Sequence, residues 1–383
     1  MLNNFAKTCA AAAIVCCLAV TSVSSADAKS QIQEDSAPRH VDLAIALDVS
    51  SSMSGLIDSA KQRLWDIVNE LGRAQPQPIL RVAILSYGNP SYGNTSGYVR
   101  IDQPFTRDLD AVNEKLFAFT TNGGDEYVAR AVDRSIRALQ WSPEPNALRI
   151  IFVAGNESAE QDPQIAVEQA TRAALNKGIV VNTLYCGTDG DGVSPGWRKV
   201  ANLTQGLYAS IDQNAAAVAN IPTPMDAELA KLNDELNGTY VAFGEKGDRY
   251  RENQIEQDEN AALMSPSAKA SRAVTKAGAM YDSSHWDLVD ALESGRTLEE
   301  FEPKDLPEEM QEMKEEERTV YLQSKLEERQ EIQGQIARLD EDRREFIEEK
   351  RKEQIAGQGK GLDEAIQEGI RKVAAEKGFK FSE

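Results

Sequence analysis

The run Ile45-Ala46-Leu47-Asp48-Val49-Ser50-Ser51-Ser52-Met53 ends an apolar stretch with one carboxylate and two hydroxyls at alternate positions. Residues two apart on extended backbone point the same way, so Asp48, Ser50 and Ser52 can converge. Oxygen-only donors carrying a single charge suit a hard cation: Mg²⁺ first, with Ca²⁺ or Mn²⁺ as alternatives. That chemistry needs a buried strand to deliver Asp48 at its carboxyl end, where open α/β sheets place their ligands.

The surrounding sequence supplies such a frame. Short apolar runs at Val41–Leu47, Leu80–Tyr87, Tyr98–Ile101, Leu148–Val153, Ile179–Tyr185 and Leu207–Ile211 alternate with helical patterns at Leu56–Leu71, Leu109–Phe119, Tyr127–Leu139, Ile165–Leu175 and Trp197–Leu203. Near-continuous Val, Ile and Leu marks strands buried on both faces. The alternation predicts an α/β fold, a mostly parallel central sheet with helices on both faces. Tyr87–Tyr98, rich in Gly, Asn, Ser and Pro, reads as a loop between adjacent strands.

With these elements in place, residues 38–221 resemble the von Willebrand factor type A family, in particular its bacterial exported members. The family's metal-ion-dependent adhesion site opens with D-x-S-x-S after the first strand, as in Asp48-x-Ser50-x-Ser52. The resemblance implies a second ligand loop at Thr120-Thr121-Asn122-Gly123-Gly124-Asp125-Glu126. Glu126, beside Asp125, falls where the family usually has a Thr ligand, with Thr121 as a fallback. An acidic ligand there makes the ion a weaker Lewis acid. The third loop departs from the family: Ala154-Gly155-Asn156-Glu157 replaces the usual Thr-Asp-Gly, so Asn156 or Glu157 must supply the outer oxygen. The resemblance implies a protein partner, with the ion's open position taken by water or by an Asp or Glu carboxylate of that partner.

Other chemical signals are weaker. Asp189-Gly190-Asp191-Gly192 opens like a calcium loop, but Val193 and Val200 sit where later ligands belong, so it reads as a turn. Gly357-Gln358-Gly359-Lys360-Gly361 follows a helix and lacks phosphate-loop spacing. His40 and His285, the only histidines, lie far apart and exclude a His-rich zinc site. Neither a G-x-S-x-G elbow nor a base for Ser50 or Ser52 is evident, so no enzyme is expected. A metal-dependent hydrolase ranks last, because its general base would have to be a carboxylate already wanted as ligand. The intermediate alternative is a metal-free structural adaptor acting through an acidic helical C-terminal region.

Composition sets the remaining bounds. The 383 residues carry a formal net charge of −20, which argues against nucleic acid because phosphates would be repelled. Lys7, the apolar run Cys9–Val20 and Ala26-Asp27-Ala28 read as a signal peptide over residues 1–28, cleaved after Ala28. The expectation is a periplasmic or secreted protein that meets a membrane only through an uncleaved leader. Cleavage would remove three of the four cysteines and leave Cys186 as a buried small hydrophobe. After a rigid break at Ile221-Pro222-Thr223-Pro224 come a mixed helical extension over 226–300 and a charged region over 301–383. In the extension Asp226–Leu236, Ala261–Met280 and Trp286–Leu292 read as helices, while Gly244–Glu259 is ambiguous. The charged region opens with a long helix, Glu308–Ile355, and closes with Leu362–Lys377. Ile332, Ile336, Leu339 and Phe346 fit a coiled-coil seam that Arg343 and Lys350 interrupt. A short coiled coil, through which two copies could associate, or a helical hairpin is one reading, and a single solvated helix propped on the body is the other.

Overall fold

The computed structural model describes residues 39–210, 221–354 and 362–381, all within the unit Pro38–Glu383. The leader over 1–28 and the Gly357–Gly361 break lie outside the described residues. The helices and strands of the first half follow the apolar pattern. They are β1 (Arg39–Asp48), α1 (Ser54–Gly72), β2 (Ala74–Gln75), β3 (Pro78–Tyr87), β4 (Val99–Thr106), α2 (Leu109–Phe117), α3 (Val128–Ala138), β5 (Leu148–Gly155), α4 (Val167–Asn176), β6 (Val180–Tyr185), α5 (Ser194–Leu203) and β7 (Tyr208–Ser210).

Six strands form one sheet in the order β4-β3-β1-β5-β6-β7. β1 lies in its centre, parallel to β3 on one side and β5 on the other. Only β4 runs antiparallel, joined to β3 by the Gly-, Asn- and Ser-rich loop. On β1 the alternation of the pleat decides the packing. Val41, Leu43, Ile45 and Leu47 bury into the layer that holds Leu64, Ile67 and Val68 of α1, whereas Ala44 and Ala46 bury against α3 and its neighbours. Both faces being covered, the strand has no reason to alternate polar with apolar residues.

The second half is helical: α6 (Asp226–Asn237), α7 (Gly247–Met264), α8 (Pro266–Ala277), α9 (Leu288–Glu293), α10 (Glu308–Gln311), α11 (Glu315–Gln354) and α12 (Leu362–Glu376), followed by β8 (Lys380–Phe381). Three expectations need correction here. The ambiguous stretch Gly244–Glu259 is mostly helix. Its buried face is polar, with Gln254, Gln257 and Asp258 inside, so no apolar period announced it. Ala261–Met280 is not one helix: Ser265 caps a new one by accepting from Ala268 N at 3.0 Å, and Pro266 takes its first turn. The charged helix is likewise divided, into α10 and α11.

α11 is a single, largely exposed helix propped against the body, and its seam packs inside the chain. Ile332 and Ile336 pack inside the chain against Leu229, Leu232 and Leu236 of α6, and Tyr240 and Trp286 join them. Arg343, which spoiled the heptad pattern, is buried and pairs with Asp226 at 2.9 Å while donating to Ser267 Oγ at 2.7 Å. Ile332 and Ile336 of that seam are buried within the chain, while Leu339 and Phe346 are half-buried. Among the described residues no helix is long and apolar enough to cross a membrane.

The last helix closes the sheet. Ile366, Ile370, Val373 and Ala374 of α12 are buried in the same layer as Phe152 of β5 and Leu184 of β6. Gly369 lets the helix come this near, since a Cβ there would stand 3.1 Å from Asn182 Nδ2 and 3.3 Å from the Phe152 ring. Beyond it β8 pairs antiparallel with β2.

Candidate metal centre

Three loops meet at the carboxyl edge of β1, β3 and β5. The first leaves β1, where Asp48 is wholly buried and its Oδ1 accepts from Ser50 N at 2.8 Å. That bond turns the chain so that Ser50 Oγ and Ser52 Oγ lie 3.1 Å apart. The second loop is tied to the first by Asn122 N, which donates to Val49 O at 2.9 Å. It delivers Glu126, 8% exposed, within hydrogen-bonding reach of Asp48 and Ser50. The third brings Asn156, whose Nδ2 donates to Ser52 Oγ at 3.1 Å.

Asp48, Ser50, Ser52, Glu126 and Asn156 therefore converge. Glu157 is exposed and close enough for its charge to act on both buried carboxyls. Asp125 and Thr121 are exposed on the second loop, and the Asp125 side chain is engaged with Tyr127 rather than with Asp48. Of the adjacent acidic pair, Glu126 is the inward one.

Several positioning residues escaped the sequence reading. Gly88 (φ +85°) passes between the two carboxyl side chains, where a Cβ would stand 2.8 Å from Asp48 Oδ1 and 3.0 Å from Glu126 Cγ. Gly155 is equally confined, because its Cβ would meet the Tyr87 hydroxyl and lie 3.0 Å from Asp48 Oδ2. Tyr87, buried, donates from its hydroxyl to Ala154 O at 2.8 Å and ties β3 to the third loop. Gln161 Nε2 donates to Glu126 O at 2.8 Å, and Trp197 Nε1 to Glu157 O at 2.8 Å. The only signal for these in the sequence was glycine at two strand ends; the rest are long-range contacts.

The donor set fits a hard cation. Asp48 Oδ2 and Glu126 Oε2 are buried and have no hydrogen-bond partner, a costly state for carboxylate oxygens unless a cation or a shared proton satisfies them. No group of three or more His, Cys, Asp or Glu suited to a metal exists among the described residues. Any ion here would depend on serine hydroxyls together with the two carboxyls, and soft-metal chemistry is disfavoured.

Without an ion both acids keep their protons to higher pH than free carboxyls do. Burial pushes Asp48 up to about 6, against which the Ser50 N–H and hydroxyl pull down. Burial, and next the charge of Asp48, push Glu126 up to about 8. The unfolded chain ionises these groups near their ordinary values of 3.8 and 4.5. Between there and about 8 the unfolded state binds fewer protons than the folded one, so this contribution to stability falls as pH rises. Glu126→Gln should flatten that fall and, in chelator at pH 8, stabilise the protein by about 1 kcal/mol after solvent screening. Urea unfolding across this pH range checks it; a variant no more stable than the parent at pH 8 would refute the carboxyl pairing.

The remaining signals read as structure. Asp191 Oδ1 accepts from Val193 N at 2.9 Å and Ser194 N at 2.8 Å, a turn that starts α5. His285 stacks edge-on to Tyr250, His40 lies 3.8 Å from Glu144, and Cys186 is a buried free thiol whose pKa burial raises.

No protein-family profile matches the chain, and no curated protein does. Solved structures similar to it include a von Willebrand factor type A structure from Catenulispora acidiphila, at 18% identity and TM-score 0.36, covering 47% of this chain and 40% of that one. Proximal thread matrix protein 1 from the mussel byssus, described with a zinc-occupied MIDAS motif, shows 12% identity and TM-score 0.37, covering 45% and 42%. The SpRpn10 VWA domain shows 14% and 0.34, covering 44% and 87%. The chain thus spans about two fifths of the length of the first two. Likenesses this slight add nothing to what the sheet order and the loops at its edge establish. On those observations, residues 39–210 form an α/β domain with a mostly parallel six-stranded sheet, the architecture that the resemblance to von Willebrand factor type A domains implies.

Proposed function

We propose that this is an exported, non-enzymatic protein that binds a protein partner through a divalent cation held at the edge of its sheet. The reading is carried by one observation: two buried carboxyl oxygens, Asp48 Oδ2 and Glu126 Oε2, without partners beside two serine hydroxyls. Asp48, Ser50, Ser52 and Glu126 would hold the ion, with Asn156 and Glu157 at its margin. Bound there, the ion offers an oxygen of the partner a directional contact that neither surface provides alone. The protein's own residues do the rest. Burial of Asp48 and the narrow passage at Gly88 and Gly155 hold the donors in place before the ion arrives. Tyr87, Gln161 and Trp197 pin the three loops to the body. The signal-like leader and the resemblance of its first half support export to the periplasm or beyond.

Adding Mg²⁺, Mn²⁺ or Ca²⁺ to chelator-treated protein at pH 8 tests this. A ligand at a hundredfold its Kd adds about 2.7 kcal/mol to the folded state, so at least one of the three should raise Tm by several degrees. Asp48→Ala should abolish the rise. A Tm unchanged by all three cations would instead favour the metal-free adaptor.

A further inference from the structure

We infer, building on the metal-dependent reading above, that the partner group this site accepts is an uncharged oxygen of a protein, a hydroxyl or an amide carbonyl, and not a carboxylate. The argument is a charge count on named residues. Asp48 and Glu126 approach each other closely, are both at least nine-tenths buried, and each has one buried oxygen without a hydrogen-bond partner. A dication between them is neutralised by these two alone. Glu157, exposed at the same rim, adds a further negative charge whose field reaches both. Next to those two acids the remaining donors are Ser50, Ser52 and Asn156, all uncharged.

A carboxylate arriving from a partner would be the third or fourth negative group around one dication. Its attraction to the ion would be offset by repulsion from Asp48, Glu126 and Glu157, in a place where burial weakens solvent screening. A neutral oxygen meets no such repulsion and still gains the ion as an electrophile. The hydroxyls and the Asn156 amide at the rim can also donate to or accept from a neutral polar group. This replaces the carboxylate donor that the family resemblance implied, and the residue responsible is Glu126, which stands where that resemblance expects a hydroxyl.

Mn²⁺ serves as both ion and probe, since its bound water speeds the relaxation of bulk water protons. Mn²⁺ is added to the full chain, acetate and then acetamide are titrated, and water relaxation is followed. Acetate should leave the enhancement of the parent protein unchanged at concentrations where acetamide lowers it. In Glu157→Gln and Glu126→Gln, acetate should compete on the order of tenfold better than in the parent. Acetate displacing water from the parent as readily as from these variants would overturn the inference while leaving metal binding intact. If the protein causes no enhancement with Mn²⁺ and none of Mg²⁺, Mn²⁺ or Ca²⁺ raises Tm, the metal-dependent reading falls and takes this one with it. The two failures are therefore distinct.

Discussion

Replacing Arg272 by alanine should destabilise the protein by about 3–5 kcal/mol, because it leaves buried acids without their counter-charge. Arg272 is fully buried on α8 and pairs with Asp258 at 2.9 Å and with Asp110 of α2. Its guanidinium also lies 4.5 Å from the centre of the Trp65 ring of α1. Lys276, equally buried, reaches the other oxygen of Asp258 at 2.9 Å. Together these charges hold Asp258 well below the usual carboxylate range, although burial alone would raise it. The cluster lies between α1 and α2 of the sheet domain and the helices that follow, and polar contacts continue it. Asn113 donates to Gln257 at 3.0 Å, and Asn69 donates to Ser271 O at 2.9 Å.

Removing one partner from such a network is expensive; removing a matched set is much less so. The double variant Arg272→Met, Asp110→Asn, which leaves Asp258 paired with Lys276, should therefore lose less than Arg272→Ala alone. Urea unfolding with the single and double variants makes the comparison. A single variant within about 1 kcal/mol of the parent, the usual limit for surface pairs, would show that the cluster is screened by solvent after all.

The second large effect concerns α12. Ile370→Ala should cost about 2–5 kcal/mol, the range for truncating a large buried aliphatic side chain. Ile370 is wholly buried, and Ile366, Val373 and Phe379 are within a few per cent of it. Burying four such side chains is worth roughly 1.5–3 kcal/mol each, which together approaches the whole stability of a typical domain. A chain ending after Gln354 should consequently be insoluble or bind a hydrophobic dye strongly. The milder Ile370→Ala keeps the claim testable if the truncated chain fails to express. Should the truncated chain be soluble and melt like the parent, α12 would be dispensable to the sheet it covers.

Some of this protein could be read directly from its residue order. The buried strands were legible because a strand covered on both faces needs apolar residues continuously, and Val41–Leu47 and Leu148–Val153 meet that need. The helices over them were legible from their period, as with Leu56, Ile57, Leu64, Ile67 and Val68. Asp48-x-Ser50-x-Ser52 was legible because its geometry is local: alternate residues beyond a strand share a direction, and one backbone N–H fixes the turn.

What only tertiary structure decided are the matters settled between distant residues. The choice of Glu126 over Asp125 depends on which side chain the second loop turns inward, and that follows from the tie of Asn122 to Val49 and of Gln161 to Glu126. The polar face of α7 was invisible because its partners, Asn113, Tyr281, Arg272 and Lys276, lie elsewhere in the chain. Arg343 looked like a flaw in a heptad until Asp226 was found opposite it. The final helix closes a sheet whose last strand lies more than a hundred residues before it. Periodicity reports that a helix has an apolar face, but which surface receives that face is settled by the folded chain as a whole.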